Sequence, residues 1–304
     1  MAATAASAAR RRHLFRREWP WVLFFLGPNV FLFFVFTAFP VVYGLYLSFT
    51  HWNIIEPMQF IGLRNYQRFF LEDPLTLKVV LNTLYFSFGV LPLSIALPLF
   101  FAILLNQGIR LIGLWRGVYY LPMVTSAVAI GIVWKWLYAK QFGLINAMLE
   151  PVGIPKQDWL FNETLVMPAI IVVAIWSSMP LKIIFFLAAL QGVPQELYEA
   201  ASIDGAGRWA RFAHVTWPLI SPTTLFLVII SIIGLLVGGF DLVWVMTRGG
   251  PLDASTMLVV HIFRHAFIYY DMGYASAMAY LLFVAVLVLT IVQWRLQKRW
   301  VHYN

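Results

Sequence analysis

Long apolar stretches separated by short charged segments dominate the hydropathy pattern of this chain. Apolar residues fill six stretches, at about residues 21–49, 79–105, 117–134, 164–190, 215–240 and 272–294. A helix needs about 20 apolar residues to cross the roughly 30 Å hydrocarbon core of a bilayer, where the backbone must satisfy its own hydrogen bonds. The pattern therefore predicts an all-α integral membrane protein with six transmembrane helices. The 18-residue stretch 117–134 is the weakest of the six.

Composition agrees with a membrane protein and excludes several soluble classes. Hydrophobic residues make up 62% of the 304 residues and charged residues only 11%, whereas soluble domains have roughly 45–50% and about 25%. So little polar surface excludes a soluble enzyme, a disordered regulator and a nucleic-acid-binding domain. The chain has no cysteine, which excludes disulfides, thiolate metal sites and a cysteine nucleophile.

The distribution of charge predicts the orientation in the membrane. With the N-terminus in the cytoplasm, the cytoplasmic segments carry 12 basic and four acidic residues, and the outer loops carry eight and nine. Because basic residues concentrate on the cytoplasmic side, we expect both termini there, with residues 1–18 as a basic tail and 19–304 as one transmembrane domain. A cleaved signal peptide is the alternative, but the first apolar run is about twice as long as a signal h-region.

The segment 191–218, between the fourth and fifth spans, differs from the other connections. Its helical spacing predicts two short helices around a turn, with Pro194 at the first helical position and Gly205 and Gly207 in the left-handed conformation that ends a helix. Glu199 and Asp204 add negative charge beside small residues. An amphipathic hairpin lying on the bilayer is one interpretation, although acids suit an anionic inner leaflet poorly. A docking surface for a partner protein is the other.

The run Glu199–Ala206, which reads EAASIDGA and is followed by Phe212, Val215, Pro218 and Pro222, resembles the "EAA…G" loop of ABC-importer permeases. The closest form belongs to the carbohydrate-uptake family, which includes maltose-type and glycerol-3-phosphate-type systems. The segments 62–66, 246–251 and 273–277 resemble further elements of that family, the first two being its "GLxNY" and "LTxGGP" motifs. The resemblance covers roughly residues 20–300, and the order of elements is most similar to the first permease of a heterodimeric pair.

This resemblance implies a type I ABC-importer permease bundle in which a cytoplasmic coupling helix sits in a cleft of an ATPase subunit. Glu199 would pair there with a basic residue, and the implied coupling residues are Glu199, Ala200, Ala201, Asp204, Gly205, Ala206, Phe212 and Pro218. The implied partners are a second homologous permease subunit, two ATPase subunits and an extracytoplasmic solute-binding protein. The implied location is the cytoplasmic (inner) membrane of a bacterium or archaeon.

The resemblance also implies that this chain is not an enzyme and binds no cofactor. ATP and Mg²⁺ would be bound by the ATPase subunits. In agreement, the sequence has no Gly-x-x-x-x-Gly-Lys-Ser/Thr loop to hold ATP phosphates.

A substrate path is expected on the fourth and fifth spans, where the resemblance places the intramembrane pocket. The candidate residues are Trp176, Ser177, Ser178, Lys182 and Ser231. Aromatic faces and hydroxyls suit a sugar, although serines in membrane helices also serve helix packing. Lys182 is the only formal charge within a predicted span. It either contributes to the path or extends its ammonium group toward the nearby inner interface.

The outer loops supply candidates for contact with the solute-binding protein, namely Asn65, Tyr66, Gly249, Gly250 and Pro251. The last outer loop also holds His261 and His265 among several acids, but their spacing fits no usual metal site. We therefore expect no metal there, and either binding-protein contact or an ordinary solvated loop.

Together these observations predict a permease subunit of an ABC importer that forms the translocation path for a sugar or oligosaccharide. Glycerol 3-phosphate or a glycerophosphodiester is the alternative substrate class. An ion-coupled transporter would usually carry acidic residues within its spans, and here none of the predicted spans has one. A membrane enzyme would need a larger cluster of His, Asp and Glu at one face.

Overall fold

The computed structural model describes residues 19–107 and 112–300, and most of these residues are helical. The predicted basic tail, residues 1–18, lies outside the described residues. In chain order the helices are α1 Trp19–Ser48, α2 Arg64–Gln67, α3 Thr76–Leu105, α4 Ile112–Val124, α5 Ala127–Leu137, α6 Leu144–Leu149, α7 Val166–Gln191, α8 Gln195–Ile203, α9 Arg208–Val237, α10 Phe240–Met246, α11 Leu258–Phe267 and α12 Met272–Trp300. A short antiparallel pair, β1 Thr50–His51 and β2 Gln59–Phe60, follows α1.

Five of these helices, namely α1, α3, α7, α9 and α12, are long and apolar enough to cross a membrane. Each corresponds to one predicted apolar stretch. Helix α9 begins earlier than the corresponding predicted stretch 215–240. Residues Arg208–Arg211 are already helical, and a wider π-helical turn over Phe212–Thr216 joins them to the rest of the helix without a break.

The third predicted stretch, 117–134, does not form one spanning helix. It is divided between α4 and α5, each shorter than 18 residues, so a single helix over 117–134 is not formed and the sixth transmembrane span stays a prediction. Two hydroxyl side chains bond to backbone groups at the interruption. Thr125 Oγ1 donates to the Leu121 carbonyl at 2.8 Å, while Ser126 has extended backbone and its Oγ accepts from the Ala129 N–H at 3.2 Å, capping α5.

The core of the bundle forms around α3 and α7, which pack along each other. Phe86 and Val90 of α3 meet Ile170 and Val173 of α7 in one buried cluster. A second cluster surrounds Phe186 further along α7 and includes residues of α9. The core is therefore shared by α3, α7 and α9, and the candidate substrate residues lie on α7 and α9.

Helix α1 stands apart from this core, because none of its most apolar window is buried within the chain. Its second half lies along α12, where Gly44 approaches the Tyr280 ring and the Tyr280 hydroxyl donates to the Val41 carbonyl. Apart from the buried Leu47 near its end, most large side chains of α1 are exposed, as expected for a helix surrounded by lipid or by other chains.

Candidate functional site

The loop 191–218 forms the predicted pair of helices around a turn, α8 and the start of α9. Helix α8 ends in a Schellman motif: the Ala206 N–H donates to the Ala201 carbonyl at 2.9 Å, and the Gly205 N–H to the Ser202 carbonyl at 3.1 Å. Gly205 has φ +78°, the left-handed conformation that side chains disfavour. The predicted role of Gly205 in ending the helix is confirmed.

Two details of this loop differ from the prediction. Pro194 is not the first helical residue but the N-cap, because its ψ of 130° is extended. Gly207 is not left-handed, since its φ of −69° and ψ of 173° make it the extended N-cap of the following helix. The turn therefore needs a glycine at position 205 but not at position 207.

The eight predicted coupling residues divide into three groups in the structure. Glu199, Ala200, Asp204 and Gly205 are exposed on α8 and its turn. Ala201 and Ala206 are half-buried and close the Schellman motif, while Phe212 and Pro218 are half-buried where the loop joins the bundle. Within the described part of the chain, neither Glu199 nor Asp204 forms an ion pair.

Exposed apolar side chains surround these acids. Ile203 is 87% exposed and Trp209 is 84% exposed, an arrangement more typical of a docking surface than of a free loop. Two contacts that sequence reasoning missed hold the surface in shape. The Tyr198 hydroxyl lies 2.9 Å from the buried Thr216 Oγ1, and Arg211 donates to Ser202 Oγ at 3.0 Å. The only signal of the first contact was a polar threonine within an apolar run.

A cavity of about 380 Å³ opens between α3, α7, α9 and α10. Four of the five predicted path residues line it, namely Ser177, Ser178 and Lys182 on α7 and Ser231 on α9. Trp176 does not, because its ring lies against Trp134, with centroids 5.6 Å apart. The sequence did not indicate the aromatic and apolar part of the lining, which includes Phe86, Met123, Phe185, Leu227 and Leu242.

The lysine in this cavity points away from the nearer end of its helix. Lys182 lies nine residues before the end of α7 at Gln191, yet its Nζ contacts the hydroxyl of Ser178, one turn in the opposite direction, at 3.4 Å. The side chain is buried, with 9% of its surface exposed. The side chain therefore does not extend toward the nearer helix end, which was the alternative expectation, and it lines the cavity.

The serine hydroxyls differ in how they are used. Ser177 and Ser178 donate to carbonyls three residues earlier in α7, at 3.2 and 2.9 Å, as serines in membrane helices commonly do. The Ser231 hydroxyl is buried and has no hydrogen-bond partner among residues 19–107 and 112–300. Because a buried hydroxyl without a partner is costly, Ser231 is available to a ligand or to water.

The outer residues Asn65 and Tyr66 have internal roles. Asn65 is buried, and its amide donates to the carbonyls of Ser48 and Thr50 at 3.0 and 2.8 Å. The Tyr66 hydroxyl lies 2.7 Å from Ser48 Oγ. Both side chains therefore fix the end of α1 to the first outer loop, and the Asn65 amide is not free to contact a binding protein.

The other predicted outer element, Gly249–Pro251, lies in a tightly bonded loop. Thr256 Oγ1 donates to the Gly249 carbonyl at 2.9 Å, and Ser255 Oγ to the Gly250 carbonyl at 2.6 Å. Gly249 has φ +91°, and a side chain there would collide with Thr256 and Arg264. These contacts make a rigid outer surface, and its contact with a binding protein stays a prediction.

A buried polar network joins the segment before α3 to α11 and to the start of α12. Asp73 Oδ2 accepts from the Tyr274 hydroxyl at 2.7 Å and lies 2.9 Å from His261 Nε2, while Oδ1 accepts from the Leu75 N–H at 2.8 Å. Burial alone would raise the pKa of Asp73, but the hydrogen bonds from Tyr274, His261 and Leu75 together hold it below its ordinary value. The carboxylate is thus held ionised where the segment before α3 meets α11 and α12.

Possible metal ligands meet at this network, which the sequence did not predict. The donor atoms of Asp73, His261 and His265 all lie within 4.8 Å of one another. Asp73 was missed because it is 188 residues from His261. The arrangement could accept a cation, but the Asp73 oxygens already accept hydrogen bonds, and the Arg68 guanidinium lies over the Tyr274 ring, with Cζ 4.1 Å from the ring centroid. This positive charge favours an internal network over a metal site.

His265 in this network predicts a dependence of stability on pH. Burial, His261 and Arg68 lower its pKa to about 4, against the opposing pull of Asp271 and Asp73. Between pH 6.5 and 4 the unfolded chain therefore binds a proton that the folded chain does not, and stability falls as the pH falls. From pH 7 to pH 5, the free energy of unfolding should decrease by about 2 kcal/mol less in His265→Phe than in the parent protein. Thermal unfolding in detergent at the two pH values measures both decreases.

An exposed histidine provides the control for that measurement. His51 is exposed, so His51→Gln should follow the parent at every pH. If His265→Phe and the parent lost stability in parallel, the folded chain would be protonating His265 without cost, and the network would not exclude its charge.

The sequence also matches a known protein family. The family described as "Binding-protein-dependent transport system inner membrane component" matches residues 94–302. The chain belongs to this family. Relatives of this permease include the arabinooligosaccharides transport system permease protein AraP of Bacillus subtilis, 31% identical over 96% of this chain and 93% of the relative. The sn-glycerol-3-phosphate transport system permease protein UgpA of Pectobacterium atrosepticum is 30% identical over 96% and 99%. The trehalose/maltose transport system permease protein MalF of Thermococcus litoralis is 34% identical over 85% and 87%.

Solved structures confirm the class of fold of this permease. A bacterial ABC transporter involved in the import of the acidic polysaccharide alginate matches with a TM-score of 0.84 and 24% identity, over 95% of this chain and 99% of that chain. A bacterial alginate ABC transporter in complex with an alginate pentasaccharide-bound periplasmic protein matches with a TM-score of 0.81, over 94% and 96%. The resemblance that the sequence motifs indicated is therefore confirmed, and the chain is a multi-pass membrane component of an ABC transporter.

Proposed function

We propose that this chain forms one half of the translocation path of a sugar-importing ABC transporter and transmits the movement of an ATPase to that path. The observation that carries this proposal is a connection within the chain. Ser177, Ser178 and Lys182 on α7 and Ser231 on α9 line the cavity, and the segment that joins α7 to α9 is the loop 191–218. A force on that loop would act directly on both walls of the cavity.

The exposed face of α8 supports a role for this chain as the docking partner of a separate ATPase. The exposed face of α8 presents Glu199 and Asp204 without internal ion pairs beside Ile203 and Trp209, which suits a basic and apolar cleft on a partner. ATP and Mg²⁺ would be held by two ATPase subunits, and this chain would catalyse no reaction. A second homologous permease subunit would close the open side of the cavity.

The substrate class we propose is a sugar or oligosaccharide delivered by an extracytoplasmic solute-binding protein. Relatives named for arabinooligosaccharides and for trehalose and maltose support it, and glycerol 3-phosphate is the alternative that another relative's name supports. The cavity itself combines hydroxyls with aromatic side chains, as sugar sites do.

Cysteine labelling tests the proposed orientation, because the natural chain has no cysteine to react in the background. Ala200 is exposed on α8, and Lys156 is exposed in a predicted outer loop. We expect an impermeant maleimide added to intact cells to label Lys156→Cys but not Ala200→Cys, and to label Ala200→Cys in inside-out vesicles. Labelling of Ala200→Cys in intact cells would place the loop outside the reach of any cytoplasmic ATPase and overturn the proposal.

A further inference from the structure

The intramembrane cavity carries a positive charge that no neighbouring residue neutralises. Lys182 forms none of the ion pairs found in residues 19–107 and 112–300, and no described residue that lines the cavity is acidic. A charge at this depth costs several kcal/mol unless it is paired. An ammonium group held without a counter-ion at a cavity wall is therefore suited to receive the negative group of a ligand.

The Ser178 hydroxyl holds the Lys182 ammonium group at the cavity. The Lys182 side chain runs back along α7 to the Ser178 hydroxyl, 3.4 Å away, instead of toward the nearer helix end. Ser231 on α9 also lines the cavity, and its buried hydroxyl has no partner among the described residues. An ammonium donor and an unpaired hydroxyl donor, contributed to one cavity by two helices, match the oxygen atoms of a carboxylate or a phosphate.

A second cavity is also lined by positively charged residues. It measures about 340 Å³, and its lining includes Lys135, Arg248, Phe161 and Trp244 but no acidic residue among those described. Neither cation is in an ion pair within the described ranges. The seven-residue helix α10 contributes to both cavities, Leu242 to the inner one and Trp244 to the outer one. An anionic solute would thus meet cations in both cavities.

We propose that the substrate of this transporter is an acidic saccharide or sugar phosphate, and that Lys182 selects its anionic group within the membrane. The inference rests on the proposed function, because it assigns specificity to the cavity of the translocation path. A neutral sugar would leave the ammonium group unpaired at the step where the solute is desolvated, whereas a carboxylate or phosphate pairs with it. Lys182 is then a specificity-determining residue, and Ser231 assists it by donating a hydrogen bond.

Calorimetric titration of the complete complex tests the inference. This chain is purified in nanodiscs with its partner permease and ATPase subunits but without the binding protein, and is titrated with digalacturonate, sn-glycerol 3-phosphate and maltose. We expect the parent complex to bind at least one of the two acids at least tenfold more tightly than maltose. The acid that binds distinguishes a carboxylate from a phosphate. Lys182→Gln should remove the preference, and Lys182→Arg should keep it within about threefold.

A matched control separates this effect from a general loss of positive charge. Lys156→Gln removes the same charge from an exposed site that lines neither cavity, and it should leave the preference unchanged. The inference is overturned if neither acid binds more tightly than maltose, or if Lys182→Gln keeps the preference. A complex that transports maltose with ATP hydrolysis but fails this test overturns the inference alone. A complex whose ATP hydrolysis responds to no loaded binding protein overturns the proposed function as well.

Discussion

Gly205→Pro is expected to abolish the stimulation of ATP hydrolysis by a loaded binding protein, with a loss of at least about tenfold in the reconstituted complex. Proline fixes φ near −65°, whereas Gly205 has φ +78°, and proline lacks the N–H that Gly205 donates to the Ser202 carbonyl. The Schellman motif that ends α8 would therefore be lost, and Glu199 and Asp204 would no longer face a partner in the same arrangement.

The neighbouring glycine offers a control on the same turn. Gly207 is also exposed, with free space around it, but its φ of −69° suits any L-residue. Gly207→Ala should keep stimulated hydrolysis close to that of the parent, and both variants should insert into the membrane in equal amounts. Full stimulation with Gly205→Pro would mean that the turn does not transmit movement, and the coupling role of this loop would have to be abandoned.

Asp73→Ala is expected to lower the free energy of unfolding by about 2–4 kcal/mol, the second large effect. The change leaves the buried Tyr274 hydroxyl and His261 Nε2 without their acceptor, and it removes the acceptor of the Leu75 N–H. A buried donor without a partner costs about 1–3 kcal/mol. Thermal unfolding of the purified protein in detergent, followed by fluorescence, measures the loss.

Tyr274→Phe is the matched variant for that experiment. It removes one donor and leaves the Asp73 carboxylate with its other two contacts, so we expect a loss of only about 1 kcal/mol. If Asp73→Ala were no more destabilising than Tyr274→Phe, the segments that carry Asp73, His261 and Tyr274 would be held together by packing alone. The polar network would then contribute nothing to stability.

The positions of the long helices could be predicted from apolar runs, but the break in the third run could not. Five runs became single helices because their length matched a bilayer, and hydroxyls within them, such as Ser177 and Thr224, bond to carbonyls of the same helix without ending it. The third contains Thr125 and Ser126, whose hydroxyls bond to backbone groups and end one helix and start the next. The sequence gives little indication of such a break, since serine and threonine occur in unbroken membrane helices too.

The candidate sites were predictable where the signal was local. The turn at Gly205 could be read from its spacing to α8, and Lys182 stood out as a charge in an apolar run. The direction of the Lys182 side chain and the contact between Asp73 and Tyr274, 201 residues apart, depend on tertiary packing. Asn65 shows the converse error, because a motif residue that suggested surface contact is used internally.

The interruption at Thr125 and Ser126 gives the third apolar segment a joint. Bending a continuous helix stretches or breaks backbone hydrogen bonds, which is expensive in hydrocarbon. Here the Thr125 and Ser126 hydroxyls already provide partners at the two helix ends, so the angle between α4 and α5 can change without sacrificing any further bond. The third apolar segment therefore has a built-in point at which its two helices can change their relative angle.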